Sequence, residues 1–211
     1  MILDDLDAVL ARALRLADGG GRAVLGIAGP PGGGKSTLAE MVVAGLGDRA
    51  ALVPMDGFHL AQPELVRLGR RDRMGAPDTF DAAGYVALLA RLRSQGDEIV
   101  YAPAFRREIE EPIAGALAVP RSVPLIVTEG NYLLLADGDW ARVRPLLDEA
   151  WYVEMDEDTR LGWLIQRHIA FGKAPDEARA WVMRSDQANA AVVAATRERA
   201  DVVVRLADLD G

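Results

Sequence analysis

The stretch Gly29-Pro30-Pro31-Gly32-Gly33-Gly34-Lys35-Ser36 decides the fold. It satisfies the spacing GxxxxGK(S/T), with a short apolar run, Ala23 to Ala28, before it and a helically spaced segment, residues 35 to 46, after it. A glycine-rich turn between a buried strand and a helix lets backbone N–H groups crowd around phosphate oxygens, in a conformation where a Cβ would clash. Gly29, Gly32, Gly33, Gly34, Lys35, Ser36 and Thr37 are therefore the candidate nucleotide-binding set. Lys35 brings a compact positive charge to the β- and γ-phosphates, Ser36 a hydroxyl to Mg²⁺, and the helix that starts there its positive dipole end. Lys35 and Lys173 are the only lysines among 24 basic residues. At position 35 a bulky planar guanidinium would replace the ammonium poorly, so the retained lysine fits the site.

Outward from the loop, further buried-strand candidates are Ala50 to Met55, Pro124 to Thr128, Ala150 to Met155 and Asp201 to Leu206. Helical spacing covers residues 3 to 17, 83 to 94, 139 to 148, 157 to 171 and 175 to 195. Strands alternating with helices require crossover connections, hence a mainly parallel sheet covered on both faces. The expected fold is a three-layer α/β/α phosphate-loop NTPase with a five-stranded sheet, formed as one domain over residues 1–211. Two stretches interrupt the alternation: 57–81, rich in charge, Gly and Pro, and 98–119, which has the pattern of a pair of edge strands or a hairpin. Both are candidates for the acceptor side of a site, because inserted segments on a rigid sheet commonly carry specificity.

Composition narrows the function. The chain carries 24 basic and 32 acidic residues, a net charge of −8, and no cysteine. Disulfides, zinc–thiolate sites and thiol nucleophiles are thereby excluded, and broad nucleic-acid binding lacks its basic face. The densest basic cluster, Arg70, Arg71 and Arg73, reads as a solvated turn. No apolar run has the length of a membrane span, and the start MILDDLDAVL is acidic where a signal peptide would be basic, so a cytoplasmic protein is expected. Tryptophans 140, 151, 163 and 181 fall on apolar helix faces or in a strand and read as core.

In an open parallel sheet, ligands collect beyond the carboxyl ends of the strands. Asp56, Glu129 and Asp156 stand there. An N-cap role accounts for Asp156, which heads a helix. Asp56 and Glu129 are candidates for the carboxylates that Mg·ATP chemistry needs near the metal and at the attacking hydroxyl. His59, three residues beyond Asp56, can bond the acceptor or orient the base.

At these residues the chain resembles the P-loop kinases of the phosphoribulokinase, uridine kinase and pantothenate kinase family. The likeness runs over about residues 22 to 206, on the phosphate loop, MDGFH (55–59), GAPDTFD (75–81), YAPAFRREIEEP (101–112), VTEGNY (127–132) and RLGWLIQRHIAFGK (160–173). It is similar also to a bacterial group described as fructose transport system kinases. The resemblance implies a lid at about 157–175, Asp56 as general base, Glu129 at the metal directly or through water, and Arg167 as the lid arginine. Arg160, seven residues earlier, can point to the same helix face. His59, Arg106, Asn131 and Tyr132 are the candidate acceptor contacts, and ATP and Mg²⁺ the implied cofactors. Where the uridine kinase lid has an aspartate after its arginine this chain has His168, and where its acceptor segment has PxYD this chain has Pro103-Ala104-Phe105-Arg106, which argues against uridine itself.

The expected activity is transfer of the γ-phosphoryl group of Mg-ATP to a hydroxyl of a small metabolite, a fructose-like sugar or a nucleoside. A pantothenate kinase-like activity is an alternative, and an ATP-hydrolysing regulator is one of another class. Partners are a small-molecule acceptor, with no nucleic acid or membrane and with self-association left open. Lys173 can close over phosphates or favour its helix terminus, and Asn189 can contact the base or the lid.

Overall fold

The apolar run Ala23–Ala28 forms β2 because both faces of the sheet are covered: Val24 and Ala28 enter one core layer, Leu25 and Ile27 the other. The computed structural model describes residues 1–205. In chain order the strands are β1 (Ile2–Leu3), β2, β3 (Ala50–Leu52), β4 (Ile99–Arg106), β5 (Glu111–Pro120), β6 (Leu125–Gly130), β7 (Glu149–Glu154) and β8 (Val202–Arg205). Six form one parallel sheet in the order β1-β8-β7-β2-β6-β3. The helices are α1 (Leu6–Ala17), α2 (Lys35–Leu46), α3 (Gln62–Arg67), α4 (Ala82–Ser94), α5 (Glu157–Ala170), α6 (Pro175–Trp181) and α7 (Gln187–Ala194). On one face α1 and α2 cover Leu25, Ile27, Leu125 and Val127. On the other, α4 packs Tyr85, Leu89 and Leu92 against Val24 and Ile126.

The fold class stands as expected, and several of its details change. The sheet has six strands, not five: Leu3 leaves the expected first helix and, with Ile2, pairs with Val203 and Val204 at the edge. Asp5 then caps α1, accepting from the Ala8 amide at 2.9 Å. β3 stops at Leu52, although the Val53 amide still donates to the Val127 carbonyl at 2.8 Å, because Pro54 has no N–H to continue the ladder. Residues 139–148 form two 3-10 turns, Gly138–Arg142 and Arg144–Leu146, in place of a helix; Pro145 lies where an α-helix would need its amide. Between α6 and α7 the chain stays helical but takes π-geometry over Val182–Asp186. Leu206, expected at the end of the last strand, lies outside the described residues.

The segment 98–119 becomes an antiparallel hairpin of β4 and β5, separate from the main sheet, with a register shift between Ala102 and Ala104 around Pro103. Of the tryptophans, Trp140 and Trp151 are buried, Trp181 is half-buried, and Trp163 stands 48% exposed. No described helix is long and apolar enough to cross a membrane.

Candidate active site

The phosphate loop emerges from the centre of the sheet, where β2 lies between β6 and β7. Gly34 takes φ 80° as the residue before α2 and offers no side chain to its free N–H groups, which stay open to an anion. Lys35 is buried, and its Nζ donates to the Pro30 carbonyl at 2.9 Å. Burial pushes its pKa down to about 8, opposed by the nearby carboxylates of Glu129 and Asp56. An ammonium taken out of water and bonded only to its own loop is matched to an incoming anion.

Glu129, next to last in β6, is buried and accepts from the Ser36 hydroxyl at 3.0 Å. Burial, and then the charge of Asp56, push its pKa well above the usual carboxylate range, against the pull of Lys35. A cation placed between the Ser36 hydroxyl and Glu129 would relieve that cost. The pair fits Mg²⁺, which takes one or two protein oxygens and fills its shell with phosphates and water.

Asp56 sits in a 3-10 turn, Met55–Phe58, that starts directly after Pro54. Arg107, in the turn of the β4–β5 hairpin, brings Nη2 to 3.4 Å from its carboxylate. His59 meets the Asp56 carbonyl with Nδ1 at 2.8 Å; since a carbonyl only accepts, Nδ1 carries the proton and Nε2 is left as an acceptor. Its ring is held between Phe80 and Phe105, with centroids 4.0 and 4.5 Å away, and burial lowers its pKa. His59 is thus a neutral wall of the site with one acceptor nitrogen.

Asp156 caps α5, accepting from the Thr159 amide at 2.9 Å, as the sequence indicates. One face of α5 then meets the phosphate loop. Arg160 is buried, donates to the Pro31 carbonyl at 3.2 Å and bonds Gln187; it anchors the helix and does not line the cavity with Arg167. Arg167, two turns on, reaches the cavity, and burial, then Arg107, lower its pKa.

A cavity of about 300 Å³ joins these groups. Its lining includes Lys35, Ser36, Glu129, Asp56 and Arg167, and a chamber of the rings of His59, Phe80, Phe105 and Trp181 with the amides of Gln62, Asn131 and Asn189. Of the candidate acceptor contacts, Asn131 and His59 line this cavity. Tyr132 does not: it is fully buried, donates to the Gly75 carbonyl and packs on Phe80 and Trp140. Arg106 is exposed on the hairpin, opposite Glu111 in register, and Arg107 takes the cavity position. Arg107 is the first residue beyond β4, in the hairpin turn, where strand alternation no longer sets direction.

Further residues line the cavity beyond the candidate acceptor contacts. Arg71 bonds Gln62 at 3.0 Å and lines the chamber, so the basic cluster is not wholly a solvated turn. Lys173 stands over the Trp181 ring at 4.8 Å, on the acceptor side. Asn189 donates to the Gly75 carbonyl at 3.3 Å and lines the same chamber. His168 and Asp186 pair at 2.9 Å, and Asp186 ends the π-helical segment, a distortion that often re-aims side chains at functional sites.

No family model matches the chain. A Schizosaccharomyces pombe protein provisionally named a uridine kinase is 30% identical over 210 residues, covering 94% of this chain and 89% of its own. A pantothenate kinase of Limosilactobacillus reuteri is 30% identical over 161 residues, 74% of this chain and 51% of its own, so the match spans about half of that enzyme. The crystal structure of a provisionally named fructose transport system kinase from Silicibacter sp. TM1040 superposes with a TM-score of 0.86 and 35% identity, covering 94% of this chain and 98% of that one.

Proposed function

The chain belongs to the P-loop kinases that take in uridine kinase, pantothenate kinase and phosphoribulokinase, and from that premise we propose that it transfers the γ-phosphoryl group of Mg-ATP to a hydroxyl of a polyhydroxylated metabolite, a fructose-like sugar or a nucleoside. The observation that carries this reading is the shared cavity, whose lining includes Lys35, Ser36 and Asp56 together with amides and aromatic rings. Amide groups bond hydroxyls as donor or acceptor, and flat rings take the C–H faces of a sugar or a base.

In this reading Asp56 takes the proton of the acceptor hydroxyl as its oxygen bonds to the γ-phosphorus, and the bond from that phosphorus to the β–γ bridging oxygen breaks. The products are a phosphate ester and ADP. Lys35 and Arg167 hold the charge that spreads over the transferring group, and the free N–H groups ahead of α2 hold the other phosphates. Ser36 and Glu129 would hold Mg²⁺, which supplies neutralisation of the β- and γ-oxygens when bound. His59 and Asn131 orient the acceptor.

Arg71, Arg107 and Lys173 favour a second acceptor, pantothenate, whose carboxylate a guanidinium or ammonium would hold. One experiment separates the readings: ADP release from Mg-ATP with hexoses, pentoses, nucleosides and pantothenate. Release that depends on a sugar or nucleoside is expected. Dependence on pantothenate alone moves the acceptor to the second reading. Release at one rate with and without every compound describes an ATP-hydrolysing regulator and defeats the transfer reading.

A further inference from the structure

Trp163 is 48% exposed on α5, whereas Trp140 and Trp151 are buried and Trp181 is half-buried against Lys173. The indole is not stranded on open surface. It walls a second cavity of about 200 Å³ on the outer flank of the phosphate loop, with Gly34, Ser36, Thr37 and Leu164. This cavity shares Gly32, Lys35, Ser36 and Arg167 with the acceptor cavity but contains neither Asp56 nor the chamber's aromatic rings.

The two cavities therefore meet where phosphates bind. In the ATP reading, a triphosphate whose γ-group faces Asp56 would lay its remaining phosphates over the start of α2, and the second cavity, lined there by Gly34, Ser36 and Thr37, would be open to its nucleoside. Trp163 is the aromatic side chain there. Its place is set by its neighbours: Arg160 holds the Pro31 carbonyl at 3.2 Å, and Leu164 fills the space at Gly32 so closely that a Cβ there would stand 2.5 Å from Leu164 Cγ. Trp163 and Arg167 are four residues apart on one helix face, one at the nucleoside end and one at the phosphates.

From this arrangement, and resting on the ATP reading above, we infer that the Trp163 indole is the platform on which the purine base of the nucleotide stacks. A base has a flat π-face and an indole is the largest ring to receive it, so this contact adds affinity that the phosphate groups cannot supply.

The test compares Mg²⁺-bound ADP with inorganic tripolyphosphate by titration calorimetry on wild type, Trp163→Ala and Trp163→Phe. Removal of a stacking ring should weaken ADP about tenfold, while the phenylalanine variant stays within about threefold and tripolyphosphate affinity stays within about twofold throughout. ADP, but not tripolyphosphate, should also quench the tryptophan emission of wild type and lose most of that effect in Trp163→Phe. Unchanged ADP affinity in Trp163→Ala overturns the inference, as does equal weakening of ADP and tripolyphosphate, which would make Trp163 a support of the loop. Wild type that binds neither compound overturns the ATP reading and this inference with it.

Discussion

The nucleotide end of the cavity and its acceptor end are built by different means. At the proposed nucleotide end the residues are consecutive: Gly29 to Ser36 run from the end of β2 into the start of α2, where backbone N–H groups are free to meet an anion. At the acceptor end, the chamber draws on His59 and Gln62, on Arg71 and Phe80, on Phe105 and Arg107, on Asn131, and on the α5-to-α7 segment, which no short motif joins. The first end tolerates few residue types. The second could change its occupant by substitution at any of several separate positions without altering Asp56, the proposed base. That is the division expected of a family whose members share a phosphoryl donor site and differ in what they phosphorylate.

The comparison breaks first at its hinge, Asp56. Asp56→Asn should lower acceptor phosphorylation by about 10²–10⁴-fold, the range ascribed to a positioned base, and leave ADP affinity within about twofold. A coupled ADP-release assay beside calorimetry checks both. Turnover within about tenfold of wild type would remove Asp56 from the base role.

Gly32→Ala tests the strictness of the nucleotide end. The new Cβ would meet Leu164 at 2.5 Å, and the residue has φ 74°. Overpacking of that kind costs about 1–3 kcal/mol, so either the loop or α5 must move and ADP affinity should fall about tenfold or more. Adding Leu164→Ala should recover part of the loss, because it removes the clash but not the positive φ. No recovery would place the damage in the loop backbone alone.

How far the sequence could be read follows the same division. The loop, the strand-end carboxylates and the alternating strands were legible because each is a local pattern: a spacing, a period or a terminal residue. What escaped depended on partners distant in the chain. β1 is too short to announce itself and exists because β8 offers an edge. Arg160 looked like a companion of Arg167, yet the Pro31 carbonyl and Gln187 claim it. Asp186 reaches the cavity from a π-helical segment, and no residue type there announces that geometry.

On the acceptor side, neighbouring arginines of the hairpin offer a sharper contrast. Arg107→Ala should raise the KM for the acceptor about tenfold, since a charge-assisted hydrogen bond in the chamber would be lost, while Arg106→Ala stays within about twofold. Steady-state kinetics with the acceptor identified by the screen decides between them. Equal effects would mean that the hairpin acts through its fold and not through the face it turns to the cavity.

The smallest effect is expected at Tyr132, where the sequence suggested a substrate contact and the structure gives a buried prop. Its hydroxyl donates to the Gly75 carbonyl, and its ring packs between Phe80 and Trp140, so it supports the chamber wall from behind. Tyr132→Phe keeps the ring and deletes one hydrogen bond, leaving the Gly75 carbonyl with Asn189 as a remaining donor at 3.3 Å. The cost should be about 1 kcal/mol of stability, read as a lower denaturation midpoint, with acceptor KM within about twofold. If KM rose tenfold at unchanged stability, the hydroxyl would have to reach the acceptor, and the wall at residues 75–80 would have to open for it to do so. Such a result would make the acceptor chamber still less like the phosphate loop, since its shape would then depend on what it binds.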